Sequence, residues 1–132
     1  MNEEHLRRAI ALAAEARANG NPPFGSLLVG PDGSILAEER NSSLTDNDIT
    51  AHPELKLARW AAQSLDPATA SGTTMYTSCE PCGMCTGALA RSGVGHVVFA
   101  LPAATPSRFT PVPTDGPHLV NEAKVPLEGY YT

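Results

Sequence analysis

The chain has 132 residues, of which 42% are hydrophobic and 17% are charged, and its net charge is -5. This length and balance predict one globular domain with its own core, and they exclude a disordered or fibrous chain. Lys56 and Lys124 are the only lysines. Because nucleic-acid binding usually requires a basic surface, we do not expect tRNA or DNA as a partner.

The N-terminal segment, residues 1–20, lacks the pattern of a secretory signal, since acidic residues come first and charges interrupt its apolar run. No stretch approaches the roughly 20 apolar residues needed to span a bilayer. We therefore expect a cytoplasmic protein. In that reducing compartment a structural disulfide is disfavoured, and a metal-binding or catalytic role for the three cysteines gains weight.

Periodicity and turn residues predict the elements of the first hundred residues. In chain order they are a helix over 2–19, hairpin strands over 26–30 and 34–41, a helix over 52–66, a strand over 73–78, a helix over 81–93 and a strand over 96–101. The alternation after the hairpin is typical of crossover units with parallel strands. We predict an α/β fold, a three-layer α/β/α sandwich around a mixed sheet of about five strands.

The last thirty residues differ in composition from the rest. Of the twelve prolines, half lie beyond Leu101, at positions 102, 106, 111, 113, 117 and 126. Such a density favours loops over a long final helix. We predict a single domain over 1–132, with a core over 1–101 and a Pro-rich C-terminal segment over 102–132.

Two of the three cysteines have the spacing of metal ligands. Cys82 and Cys85 are three apart in the first turn of a predicted helix, where the helix dipole favours thiolates. A tetrahedral zinc with one open position needs a third protein ligand. His52 is the best candidate, because it begins the other predicted helix and open α/β proteins place their sites at such helix starts.

Glu54 follows His52 by two residues, a spacing that lets a carboxylate reach metal-bound water without being a ligand. The pairs His52–Glu54 and Cys82–Cys85, the second preceded by Pro81, form the H-x-E and P-C-x-x-C signature of zinc deaminases. Over residues 1–101 the chain therefore resembles the cytidine deaminase-like superfamily. It looks closest to the branch that holds guanine, cytosine and tRNA adenosine deaminases, on the stretches "PFGSLLVG" and "YTSCEPCGMC".

The resemblance implies a zinc-dependent hydrolase that removes an amino group from a cyclic amidine and releases ammonia. It implies Zn²⁺ as the cofactor, held by His52, Cys82 and Cys85, with Glu54 moving protons for the zinc-activated water. It also implies three substrate contacts, made by Asn41, Phe24 and the backbone carbonyl of Glu80.

The substrate class implied is a free nucleobase, a nucleoside or a related amino-heterocycle. Guanine is favoured by the stretches "YTSCEPC" and "PFG", and cytosine, cytidine and aminotriazines stay open. Pro53 stands where most related enzymes have alanine, which affects the shape of the pocket wall. The resemblance further implies a homodimer, whereas the C-terminal segment matches no subfamily pattern.

Three alternatives remain open for the cysteines. A zinc-stabilised binding module without catalysis would need four protein ligands, with Cys79 as the fourth. A thiol redox pair fits C-x-x-C after a strand but leaves His52 and Glu54 without a role. Cys79 itself fits a small packed side chain.

Overall fold

The computed structural model describes residues 1–103 and 112–130. The elements in chain order are α1 (Glu3–Ala18), β1 (Gly25–Val29), β2 (Ile35–Arg40), α2 (Pro53–Ser64), α3 (Pro67–Ser71), β3 (Thr74–Cys79), α4 (Gly83–Ser92), β4 (His96–Leu101), α5 (Val120–Lys124) and a 3-10 helix (Val125–Leu127). The predicted order is confirmed. Helix α3 was not predicted, although Asp66 caps it by accepting a hydrogen bond from the Thr69 N–H.

The sheet is mixed, as predicted, with the strand order β2-β1-β3-β4. Strand β1 pairs antiparallel with both β2 and β3, and β3 pairs parallel with β4 across helix α4. The described residues form four strands, one fewer than predicted. Beyond β4, residues 112–130 form no strand, and Pro113, Pro117 and Pro126 lack the N–H that a strand ladder needs.

Helices cover both faces of the sheet, which confirms the three-layer architecture. Helix α1 packs one face through a cluster of Ala9, Leu12, Leu27, Val29 and Tyr76. Helices α2 and α4 pack the other face through a cluster of Leu28, Leu57, Ala58, Ala61, Met75 and Leu89. The starts of α2 and α4 therefore lie on the same side of the sheet.

Residues 112–130 of the C-terminal segment do not join this core. Every described residue in 112–130 is exposed, including the large apolar side chains of Leu119, Val120, Val125 and Leu127. None of the helices in residues 1–103 and 112–130 has the length and apolar character required to cross a membrane. The assignment of the whole chain to one domain stays a prediction.

Gly25 allows α1 to approach the sheet closely. A Cβ at this position would lie 2.6 Å from the Ala13 nitrogen and 2.6 Å from the Ala9 oxygen, and both atoms belong to the helix backbone. Backbone atoms cannot move aside as a flexible side chain can, so only glycine fits. Gly25 begins β1 directly after Phe24.

We predict that Gly25→Ala lowers the free energy of unfolding by about 2–3 kcal/mol, because it overpacks the contact between α1 and β1. Gly87→Ala in helix α4 is the matched control, since its Cβ would meet only the flexible end of Arg91. That variant should be neutral or up to about 1 kcal/mol more stable. Urea unfolding monitored by circular dichroism measures the free energy of unfolding of both variants. Equal midpoints for the two would contradict the prediction.

Candidate metal centre

His52 stands at the N-cap position of α2, where the backbone is still extended (φ -82°, ψ 142°). Pro53 occupies the first helical position, where its missing N–H costs nothing. The His52 side chain makes no capping hydrogen bond, so its ring is available for other contacts. Partial burial lowers the pKa of His52, which favours the neutral imidazole that a metal ligand requires.

Cys82 and Cys85 lie at the start of α4, one turn apart. The helix begins at Gly83 rather than at residue 81 as predicted, which makes Cys82 the N-cap residue. Cys82 is exposed, whereas Cys85 is fully buried beneath it. The centre thus has one ligand candidate facing solvent and one anchored in the core.

The three side chains converge on one point. The Nδ1 atom of His52 lies 3.7 Å from the Cys82 sulfur and 3.5 Å from the Cys85 sulfur. All three candidate ligand atoms lie within 4.8 Å of one another. With zinc–sulfur bonds of about 2.3 Å and zinc–nitrogen bonds of about 2.0–2.1 Å, tetrahedral angles place nitrogen and sulfur about 3.6 Å apart. The separations therefore fit a zinc ion held by these three residues.

The chemistry of the donor set also fits a cation. Burial raises the pKa of the Cys85 thiol, and the nearby charges of Glu54 and Cys82 raise it further. A Cys85 thiolate is therefore unfavourable unless a positive charge accompanies it. A divalent cation with thiolate ligands supplies that charge, because metal binding displaces the thiol protons.

Glu54 lies in the first turn of α2, beside the metal group. Its side chain is only 6% exposed, and it has no ion-pair partner in the described part of the chain. Burial raises the pKa of Glu54. The charge of Glu54 also raises the pKa values of Cys79 and Cys85, after the larger effect of burial, which is consistent with a carboxylate close to both sulfurs.

Backbone hydrogen bonds link Asn41 to Phe24 and link the next residue, Ser42, to the segment that leads into His52. The Asn41 N–H donates to the Phe24 carbonyl at 3.0 Å, and the Ser42 N–H donates to the Ala51 carbonyl at 3.1 Å. Ala51 directly precedes His52. Asn41 is buried and Phe24 is about one-third exposed. Their roles as substrate contacts stay predictions.

Glu80 lies between β3 and α4, but its side chain is occupied elsewhere. Its N–H donates to the Leu101 carbonyl at 2.8 Å, and its carboxylate accepts a hydrogen bond from the Ala103 N–H at 3.1 Å. These bonds fix the exit of β4, and the proposed role of the Glu80 carbonyl stays a prediction. Cys79 is half-buried at the end of β3 and lies outside the metal group found among the described residues.

Sequence reasoning missed the side chains that hold the loop between β2 and α2. The Asn21 carboxamide oxygen accepts hydrogen bonds from the N–H groups of Leu44 and Thr45. Lys56, on α2, donates to the Ser42 hydroxyl at 3.0 Å. The run of Asn, Ser, Thr and Asp residues that starts at Asn41 signals such local capping, but the partners Asn21 and Lys56 lie too far along the chain to be read from it.

The fold and the site together define a class of protein, an α/β/α domain with a one-histidine, two-cysteine metal centre at the start of two helices. Residues 1–101 match the model of the cytidine and deoxycytidylate deaminase zinc-binding region. The chain belongs to this family, and the resemblance inferred from the motifs is confirmed. Zinc is accordingly the metal that the centre is expected to hold.

Individual relatives include several deaminases. The chain is 44% identical over 89 residues to the guanine deaminase of Bacillus subtilis, covering 67% of this chain and 56% of that protein. It is 36% identical over 98 residues to the tRNA-specific adenosine deaminase of Haemophilus influenzae, covering 74% of this chain and 57% of that protein. The chain thus spans a little over half the length of these two relatives. The solved structure of the Bacillus subtilis guanine deaminase superimposes with a TM-score of 0.80 at 32% identity, covering 99% of this chain and 94% of that one.

We predict that the protein binds about one zinc ion per chain and that His52→Ala or Cys82→Ser abolishes stoichiometric binding, because each removes one of three ligands. Cys79→Ser is the matched control, since it removes a neighbouring thiol that lies outside the group, and it should retain zinc. Elemental analysis of dialysed protein gives the ratio of zinc to protein chain for each variant. Full zinc content in both ligand variants would reject the ligand assignment, and loss of zinc from Cys79→Ser would favour a four-ligand structural site.

Proposed function

We propose that this protein is a hydrolytic deaminase of a small amino-heterocycle, with guanine as the favoured substrate. One observation carries the proposal. A buried carboxylate without an ion-pair partner among the described residues, Glu54, lies beside the metal group of His52, Cys82 and Cys85. A structural zinc site does not need such a carboxylate, whereas hydrolysis needs a base next to the activated water.

Residues of this chain can be assigned to each requirement of the reaction. His52, Cys82 and Cys85 would hold zinc, which when bound supplies a Lewis acid that activates water. Glu54 would accept a proton from that water and deliver protons to a ring nitrogen and to the departing amino group. The ring carbon gains an oxygen, loses its amino group as ammonia and becomes a carbonyl. Burial supports this role, because a carboxylate with a raised pKa returns its proton less readily to water and transfers it better near neutral pH.

Substrate selection would rest on Phe24 and Asn41. Phe24 offers a partly exposed aromatic face, which suits stacking on a planar ring. Asn41 offers a carboxamide for hydrogen bonding to the ring edge. Guanine is favoured by the likeness to the Bacillus subtilis guanine deaminase. Cytosine, cytidine and aminotriazines are the alternatives, and the net charge of -5 argues against a polyanionic tRNA.

We predict that the zinc-loaded protein releases ammonia from at least one member of a panel of aminopurines, aminopyrimidines and aminotriazines, with guanine turned over fastest. Glu54→Gln, which keeps the shape of the side chain but removes the basic carboxylate, should retain zinc and lose at least about 100-fold in kcat. A coupled ammonia assay and elemental analysis measure both quantities. A zinc-loaded parent protein that deaminates nothing in the panel would instead indicate a zinc-stabilised binding module.

We further propose that the protein acts as a homodimer. In the C-terminal segment, Leu119, Val120, Val125 and Leu127 are exposed and belong to neither core cluster of the described residues. A groove of about 460 Å³ between α4 and β4 is lined by Leu89, Val94, Val97 and Phe99 among others. A second copy would remove both apolar surfaces from water, which supports association through this segment.

We predict that the full chain elutes as a dimer and that Leu127→Ser, in the C-terminal segment, shifts it toward monomer, because the variant removes apolar area from the proposed contact. Ile10→Ser is the control, since Ile10 is similarly exposed on α1 outside the proposed contact. Size-exclusion chromatography with light scattering across a concentration series measures the mass. An unchanged mass in Leu127→Ser, or a monomeric parent, would contradict this contact.

A further inference from the structure

The orientation of the Asn41 carboxamide is fixed by one neighbouring residue. Its Oδ1 atom accepts two hydrogen bonds from Ser43, one from the backbone N–H and one from the hydroxyl, both at 2.8 Å. A backbone N–H can only donate, so the atom that faces it must be the oxygen of the carboxamide. The NH₂ group of Asn41 is therefore turned away from Ser43.

That NH₂ group has no hydrogen-bond partner in residues 1–103 and 112–130, although Asn41 is only 2% exposed. Every fully buried side-chain nitrogen or oxygen of the described residues has a hydrogen-bond partner. Because the Asn41 NH₂ group has none, it must be reachable from solvent. Asn21, the other buried asparagine of this region, differs. Its oxygen is bonded to the Leu44 and Thr45 N–H groups and its NH₂ group donates to the Thr45 hydroxyl.

The same local motif occurs at two other places, and the comparison shows what is special at Asn41. Ser34 bonds Asp32 through its N–H and its hydroxyl, and Thr50 bonds Asp48 in the same way. Both aspartates are exposed, and their side chains offer only acceptors. Capping a turn therefore does not require an amide. At Asn41 the motif instead holds a buried side chain whose remaining group is a donor.

Contacts of the next residue, Ser42, connect the loop that carries this donor to the segment that carries His52 and Glu54. The Ser42 N–H donates to the carbonyl of Ala51, next to His52, and the Ser42 hydroxyl accepts from Lys56, two residues beyond Glu54. The loop that carries Asn41 is thus tied to both ends of the segment that carries His52 and Glu54.

We propose that Ser43 is a positioning residue, which fixes the Asn41 carboxamide so that its NH₂ group is presented to an acceptor on the substrate ring. The acceptor is a ring nitrogen or a carbonyl oxygen, and a ring that offers only a donor at that point is rejected. This inference rests on the proposed deaminase function. It adds a specificity-determining role for a residue whose side chain does not itself touch the substrate.

Kinetics of ammonia release from guanine test the role of Ser43. Ser43→Ala should raise KM about 3- to 10-fold with kcat changed less than about 2-fold, because one of two hydrogen bonds that orient the donor is lost. Ser43→Thr retains the hydroxyl and should restore KM. Ser34→Ala deletes the same hydroxyl from the same motif at the opposite end of the β1–β2 hairpin and should leave KM unchanged. An equal KM in Ser43→Ala and the parent, or equal KM increases in Ser43→Ala and Ser34→Ala, would overturn the proposal.

A second measurement does not depend on turnover. In ¹⁵N relaxation experiments on the zinc-loaded protein, the order parameter of the Asn41 Nδ2 should be high in the parent and in Ser34→Ala. In Ser43→Ala it should fall below about 0.6, the range of flexible groups. An unchanged order parameter would overturn the positioning role. If the parent releases no ammonia from any heterocycle, the proposed function fails, and the relaxation comparison still decides whether Ser43 orients Asn41.

Discussion

The convergence of two helix starts on one side of the sheet is the constraint on which the rest of this molecule depends. Helix α2 begins after His52 and helix α4 begins after Cys82, and both pack on the face opposite to α1. The parallel pairing of β3 with β4 requires a crossover, which α4 provides. That crossover brings the two cysteine sulfurs within 3.7 Å of a histidine nitrogen thirty residues away along the chain.

Burial then determines the chemistry at this point. Removing Cys85 and Glu54 from water raises both pKa values, so neither group carries its negative charge readily in isolation. A divalent cation stabilises the Cys85 thiolate, because it takes the place of the thiol proton. For the carboxylate the same burial is useful, because a base whose pKa lies nearer to neutrality can both accept and return a proton. Burial of Cys85 and Glu54 thus favours metal binding by the first and proton transfer by the second.

The loop between β2 and α2 is built from a different kind of contact. Its backbone N–H groups are capped by the side chains of Asn41 and Asp48 within the loop and of Asn21, more than twenty residues earlier in the chain. Such capping holds backbone and polar groups in defined orientations without a large apolar surface. The two helix starts position the metal group, and the capped loop orients the polar amide of Asn41. The apolar C-terminal segment packs on neither part.

The amino-acid sequence by itself determined the order of elements, the mixed sheet and the spacing of His52, Glu54, Cys82 and Cys85. These follow from periodicity, helix-start residues and motifs, which are properties of short contiguous stretches. The predicted count of about five strands exceeds the four strands of the described residues, because the Pro-rich residues 112–130 form none. Tertiary structure alone decided that Nδ1 of His52 faces the sulfurs, that Glu54 is buried, and that Asn41 directs its NH₂ group away from Ser43. The first two depend on atoms brought together from distant positions, and a short stretch of sequence does not encode which neighbours packing will supply. The third depends on a contact only two residues away, but the composition of the loop does not specify its geometry.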